Sequence, residues 1–201
     1  THLAENMEEV DEIARLFPDS RSYLDVYEQH GLLRERAVFA HCLHMDDADR
    51  ASMSTHGGAA AFCPTSNLFL GSGLFDLPAF RDAGIRCGLG TDVGGGTSLS
   101  LLKTASEAYK VLHLQEHALP ATRALYLATL GAAEALYLDD KIGNFASGKE
   151  ADFVVLDFEG SNLTARRTAA AATIEEKLFA LITLADDRNV AATYVNGVKV
   201  Q

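Results

Sequence analysis

The chain has 201 residues, 48% of them hydrophobic, and its 17 basic and 28 acidic side chains give a net charge of −11. That composition suits a globular protein of one to one and a half domains, and it excludes the basic surface needed by nucleic acid or an anionic membrane as a partner. No apolar run approaches the ~18 residues of a membrane span, and three cysteines without CxxC spacing (Cys42, Cys63, Cys87) point to a reduced, cytoplasmic protein rather than a disulfide framework.

The opening residues, Thr1-His2-Leu3-Ala4-Glu5, start without Met and read as the end of a strand that begins upstream. Asn6 then caps a predicted helix over 7–17. Acids crowd its first turn, Val10, Ile13, Leu16 and Phe17 recur at helical spacing, and Pro18 stops it. A second helix is predicted over about 20–30, with Gly31 as its terminator. Residues 37–42 form a short apolar strand ending at His41. A helix follows from Asp46 or Asp47 to His56-Gly57, and 59–64 is a third strand closed by Pro64. Residues 65–73 are expected to be a polar loop, and 74–83 a helix with proline in its first turn. The run 85–89 is a buried strand leading into Gly-Thr-Asp and three glycines, before two long helices over about 99–117 and 121–136.

Continuous apolar strands alternating with amphipathic helices predict an α/β fold with a parallel sheet covered on both faces. Four βα units make half of a (β/α)8 TIM-like barrel, which in full typically needs ~250 residues. The barrel half occupies 1–140. The tail, 141–201, is turn-rich at first, then β-patterned over 151–157 and 191–200, with an Asn196-Gly197 hairpin signal. Between these strands, 161–168 reads as a mobile segment and 168–184 as alanine-rich and helical. The tail strands are expected to form a small β-layer beside the barrel.

Three predicted strands end in titratable residues: His2 with Glu5 just after it, His41, and Asp92. The third strand offers none. At the C-terminal mouth of a barrel these ends converge, and imidazoles with a carboxylate suit Zn²⁺, with Fe²⁺ possible. A metal would activate water, and neighbouring carboxylates would accept and deliver its proton. Each residue also has a plainer reading alone: Asp92 as a helix N-cap, His41 as a hydrogen-bonded core histidine, Glu5 as a helix N-terminal acid.

The segments THLAEN, AHCLH, FCPTSNLFLGSG, GLGTDVGGG and IGNFASGKEADFVVLD resemble, in that order, the second half of the amidohydrolase superfamily, and within it the branch that deaminates guanine. The resemblance implies that His2 and Asp92 ligate the metal. It makes Glu5 the proton shuttle that protonates a purine ring nitrogen, and sets His41 beside the attacking water. Asp92 becomes the base that takes the water's proton, and His2, Glu5 and Asp92 meet the substrate. Ser66 and Asn67 shape the pocket. The implied reaction is guanine (or a similar aminopurine) plus water to xanthine plus ammonia. Related branches act on S-adenosylhomocysteine, adenosine or triazines, and barrels that lose ligands persist as non-catalytic scaffolds. The superfamily's strand-one H-x-H pair is not in this chain, so the segment alone is expected to bind metal weakly and to be inactive. It would need the N-terminal half of the barrel and, as the family implies, form a homodimer. His113-Leu114-Gln115-Glu116-His117 matches an inverted zincin pattern on an outer helix. His30 and His56 read as structural, and His44, in the loop after His41, as a surface residue with an approach to the pocket mouth as the alternative.

Overall fold

Two sheets organise the chain in the computed structural model, which describes residues 1–200. In the first, β1 (His2–Leu3), β2 (Val38–His41), β3 (Ala59–Phe62) and β4 (Arg86–Leu89) pair in sequence order, every pair parallel. Leu3 lies opposite His41, and Phe62 opposite Leu89, so the C-terminal ends of neighbouring strands are aligned in pairs. Leu3, Phe39, Ala59, Ala60, Phe62 and Cys87 are all buried, as expected of a parallel sheet covered on both faces.

The connections are helical because each segment has a start signal and an amphipathic stripe. Asn6 caps α1 (Met7–Leu16) by accepting the Glu9 N–H at 2.9 Å. Ser22 caps α2 (Tyr23–Gln29), and Asp46 caps α3 (Asp47–Thr55) through the Asp49 N–H at 2.7 Å. Arg21 ties these caps together by pairing with both Asp46 and Asp49.

Residues 65–73, expected as a loop, instead begin with α4 (Pro64–Leu70). Pro64 occupies the first helical position, where its fixed φ is preorganised, and Gly71 ends the helix in the left-handed conformation at φ 71°. Next come α5 (Leu77–Asp82), capped by Asp76, and α6 (Leu101–Leu114), capped by Ser100. The expected helix over 121–136 is broken at Thr129 (φ −130°, ψ −98°) into α7 (Ala121–Ala128) and α8 (Leu130–Ala135). Both pack on β4. Among the described residues no helix is long and apolar enough to cross a membrane.

The second sheet is antiparallel, in the order β5 (Phe153–Leu156), β6 (Val190–Val195), β7 (Val198–Lys199). Asn196 and Gly197, at φ 48° and 76°, make the β6–β7 turn that their dipeptide predicts. The stretch expected to be mobile is ordered as α9 (Asn162–Ala169), held by a capping box between Ser161 and Thr164. A second capping box, Thr173 with Glu176, starts α10 (Ile174–Leu184), so the stretch expected to be helical over 168–184 is shared between the end of α9 and α10. α10 lies against α6 and buries Ala180, Leu181 and Ile182.

β4 and α8 approach closely through Gly88, where a Cβ would sit 2.8 Å from the Ala132 Cα. Backbone cannot yield as a flexible side chain can. Gly88→Ala is therefore expected to lower stability by about 1–3 kcal/mol, read as a fall in the urea midpoint at constant m-value.

Candidate active site

The C-terminal ends of β1, β2 and β4 bring His2, Glu5, His41 and Asp92 together. One ligand atom from each of His2, His41 and Asp92 lies within 4.8 Å of the others. The rings of His2 and His41 stack at 5.2 Å between centroids, 7° from parallel. His41 Nε2 is 3.6 Å from Glu5 Oε2 and 3.8 Å from Asp92 Oδ2, between two carboxylates. His41 is fully buried, Asp92 is partly so, and His2, on the edge strand, is exposed.

The backbone that aims these groups is bent at each strand end. Ala4, His41, Cys42 and Asp92 all adopt positive φ (47°, 72°, 52° and 47°). Non-glycine residues rarely accept this conformation unless the surroundings enforce it. Here the Ala4 carbonyl accepts the N–H groups of Leu43 and His44, and Cys42 N–H donates to the Leu3 carbonyl at 2.8 Å. The chain is thereby turned after β1 so that Glu5 faces His41. At the end of β4, Gly96 N–H donates to the Asp92 carbonyl. Gly96 can carry no side chain, because a Cβ would lie 1.8 Å from the Thr91 carbonyl oxygen. Asp92 does not cap the next helix; Ser100, eight residues on, does so. The plain reading of Asp92 as an N-cap is thus excluded.

Asn67, on α4, hydrogen-bonds His41 Nδ1 through its Oδ1 at 2.8 Å, and both side chains are buried. The amide oxygen can only accept, so the proton sits on Nδ1. Nε2 faces the carboxylates and, like Asn67 Nδ2, has no hydrogen-bond partner within the protein. Ser66, also buried, donates to the Cys63 carbonyl within its own turn, and a Cβ on Gly95 would sit 3.2 Å from its Cβ. Burial, reinforced by the Asp92 charge, pushes the nearby Cys63 thiol up to about 12, so it remains a neutral thiol at physiological pH.

A match to one family model, the amidohydrolase family, spans residues 1–200. The chain belongs to the amidohydrolase family. It is 49% identical over 197 residues to the guanine deaminase of Escherichia coli (strain K12), covering 98% of this chain and 45% of that protein. The structure of the E. coli guanine deaminase superposes with a TM-score of 0.98 at 48% identity, over 100% of this chain and 47% of that one. The guanine deaminase of C. acetobutylicum, with guanine bound in its active site, gives 0.85 at 30% identity, over 98% of this chain and 47% of that one. An adenosine deaminase of Xanthomonas campestris with bound zinc also gives 0.85, at 26% identity, over 98% and 44% of the two chains. This chain therefore spans about half the length of the relatives it matches.

The other histidines expected to be structural have their ring nitrogens close to the backbone of their own helices: His30 Nδ1 lies 2.8 Å from the Val26 carbonyl, and His56 Nδ1 2.9 Å from that of Ser52. His44, expected at the surface, instead has a buried Nε2 without a partner. The H-x-x-E-H pattern does not assemble. α6 ends at Leu114, Glu116 turns into the left-handed region at φ 63°, and His113 stacks on Tyr109. Among the described residues, His2, His41 and Asp92 are the only such cluster of three or more potential metal ligands. One contact has no signal in residue spacing: Ser72 Oγ donates to Glu5 Oε1 at 2.9 Å.

Asn67→Leu leaves His41 Nδ1 buried without its acceptor, which should cost about 1–3 kcal/mol, measured by urea unfolding. Imidazole nitrogen NMR should then lose the single Nδ1–H tautomer. A variant that keeps both stability and tautomer would show that this contact does not set the imidazole.

Proposed function

We propose that this chain is the C-terminal half of a (β/α)8 barrel, strands five to eight, and that the whole protein hydrolyses guanine or a similar aminopurine to xanthine and ammonia. The observation that carries this reading is the convergence of His2, Glu5, His41 and Asp92 at the ends of three parallel strands. The similarity to guanine deaminases along essentially the whole chain supports the choice of substrate. On this reading residues 141–201 form a small β-layer beside the barrel. The outer edges of β1 and β4 pair with the N-terminal half, and the whole protein is a cytoplasmic homodimer. Its three buried free thiols suit a reducing compartment.

The donor set fits a divalent metal, zinc or iron: two imidazoles and a carboxylate converge, and the buried His41 Nε2 has no partner within the protein. His2 and Asp92 would be its ligands, joined by residues from the N-terminal half, since a catalytic zinc site uses about three protein ligands. When bound, such a metal lowers the pKa of water to about 7. Asp92 accepts the proton that the attacking water gives up. His41, held by Asn67 and lying between both carboxylates, orients that water with Nε2. Glu5 delivers a proton to the ring nitrogen adjoining the carbon under attack. The carbon–oxygen bond forms; Asp92 then passes the proton it holds to the exocyclic nitrogen, the carbon–nitrogen bond breaks with the nitrogen leaving as ammonia, and the new hydroxyl returns a proton to Glu5 as the carbonyl forms.

Full-length protein should release ammonia from guanine and lose that activity on chelation, with zinc restoring it. Asp92→Asn should lower kcat by at least about 100-fold, and residues 1–201 alone should be inactive. Activity on adenosine or a triazine but not guanine, in a substrate panel, would reassign the substrate. Full activity of Asp92→Asn would remove the mechanism.

A further inference from the structure

β3 brings no histidine or carboxylate to the site, yet the segment it feeds touches His41 at the end of β2 and Glu5 just after β1. Asn67, within α4, holds His41. Just beyond α4, Ser72 Oγ donates to Glu5 Oε1 at 2.9 Å, across 67 residues of sequence. The direction of Ser72 is fixed by its backbone. Its N–H donates to the Asn67 carbonyl at 2.8 Å, and it sits between Gly71 and Gly73, at φ 71° and 140°. L-residues rarely adopt such angles, so the two glycines are what allow the chain to turn Ser72 toward β1.

Glu5 has two carboxylate oxygens, and the structure gives them different neighbours. Oε1 receives the Ser72 hydroxyl, while Oε2 faces His41 Nε2 at 3.6 Å. The Glu5 main chain is tethered separately, its N–H donating to Glu9 Oε2 at 3.0 Å. What remains free is the side-chain torsion that would exchange the two oxygens or swing the carboxylate away, and Ser72 is placed to stop it.

We propose that Ser72 is the positioning residue for Glu5: its hydroxyl engages one carboxylate oxygen so that the other is presented to His41 and to the ring nitrogen of the substrate. Ser72 makes and breaks no covalent bond; the proton travels through Oε2. The proposal rests on the deamination reading above.

The test compares wild type, Ser72→Ala, Ser72→Cys and Ser72→Thr in the full-length protein. Ser72→Ala should lower kcat on guanine by roughly 10- to 100-fold with KM changed less than about threefold, because a displaced proton donor weakens the chemical step more than binding. Melting temperature and metal content should not change. Ser72→Thr keeps a hydroxyl and should recover most of kcat. Ser72→Cys keeps the shape with a weak donor and should resemble Ser72→Ala, which covers the case in which alanine fails to fold. Crystal structures of Ser72→Ala and Ser72→Cys should show Glu5 Oε2 withdrawn from His41. An unchanged kcat, a loss that threonine does not restore, or Glu5 in its wild-type place would each overturn the proposal. If wild type releases no ammonia from guanine, the deamination reading falls on that result, and the position of Glu5 in the variant structures still decides the role of Ser72.

Discussion

The hydrogen bond between His41 Nδ1 and Asn67 Oδ1, 2.8 Å long between two fully buried side chains, is the constraint on which the rest of the site depends. It puts a proton on Nδ1 and turns Nε2 to the point where Glu5 and Asp92 converge. An amide achieves this without adding a third carboxyl group to a site that already has two.

That constraint is itself a product of the sheet. Strands paired in order and aligned at their C-terminal ends can place four side chains around one point only if the chain leaves each strand sharply. The left-handed residues Ala4, His41, Cys42 and Asp92 do this. Each costs on the order of 1–3 kcal/mol in a non-glycine residue, and each sits where a neighbouring strand's end or its own loop supplies hydrogen bonds that hold it. Strain is thus concentrated at one pole of the sheet, while the strand bodies, Phe39, Ala60, Phe62 and Cys87, are regular and closely packed.

The sequence made the strands legible because fully buried parallel strands are continuous apolar runs, and it made His2, His41 and Asp92 visible because they end such runs. It placed the Asn-Gly hairpin for the same kind of local reason. It did not reveal α4, because Thr65, Ser66 and Asn67 look like loop residues; their burial against the β2 and β4 ends outweighs their propensity, with Pro64 and Gly71 as the local marks. The break at Thr129 has no proline or glycine at the residue itself to mark it; two residues on, Gly131 lies so close to Tyr126 that a Cβ would sit 2.8 Å from its ring. His44 was misplaced because burial of one ring nitrogen depends on the turn after β2, which no periodicity encodes.

The part of the site hardest to read from sequence is also the part that acts at longest range. His2, Glu5, His41 and Asp92 can be found one at a time, since each is a reactive residue type at a strand end. Asn67 and Ser72 are unremarkable residue types whose meaning lies in what they touch: His41, 26 residues away, and Glu5, 67 away. Both contacts come from one short helix and its cap. A rigid shift of α4 would therefore disturb the tautomer of the imidazole and the orientation of the carboxylate together. Stabilities of variants at these two positions are then not independent, because residues sharing one supporting element couple through its displacement. β3 itself ends in neither a histidine nor a carboxylate, yet it leads into the one short segment, 64–72, that touches both His41 and Glu5.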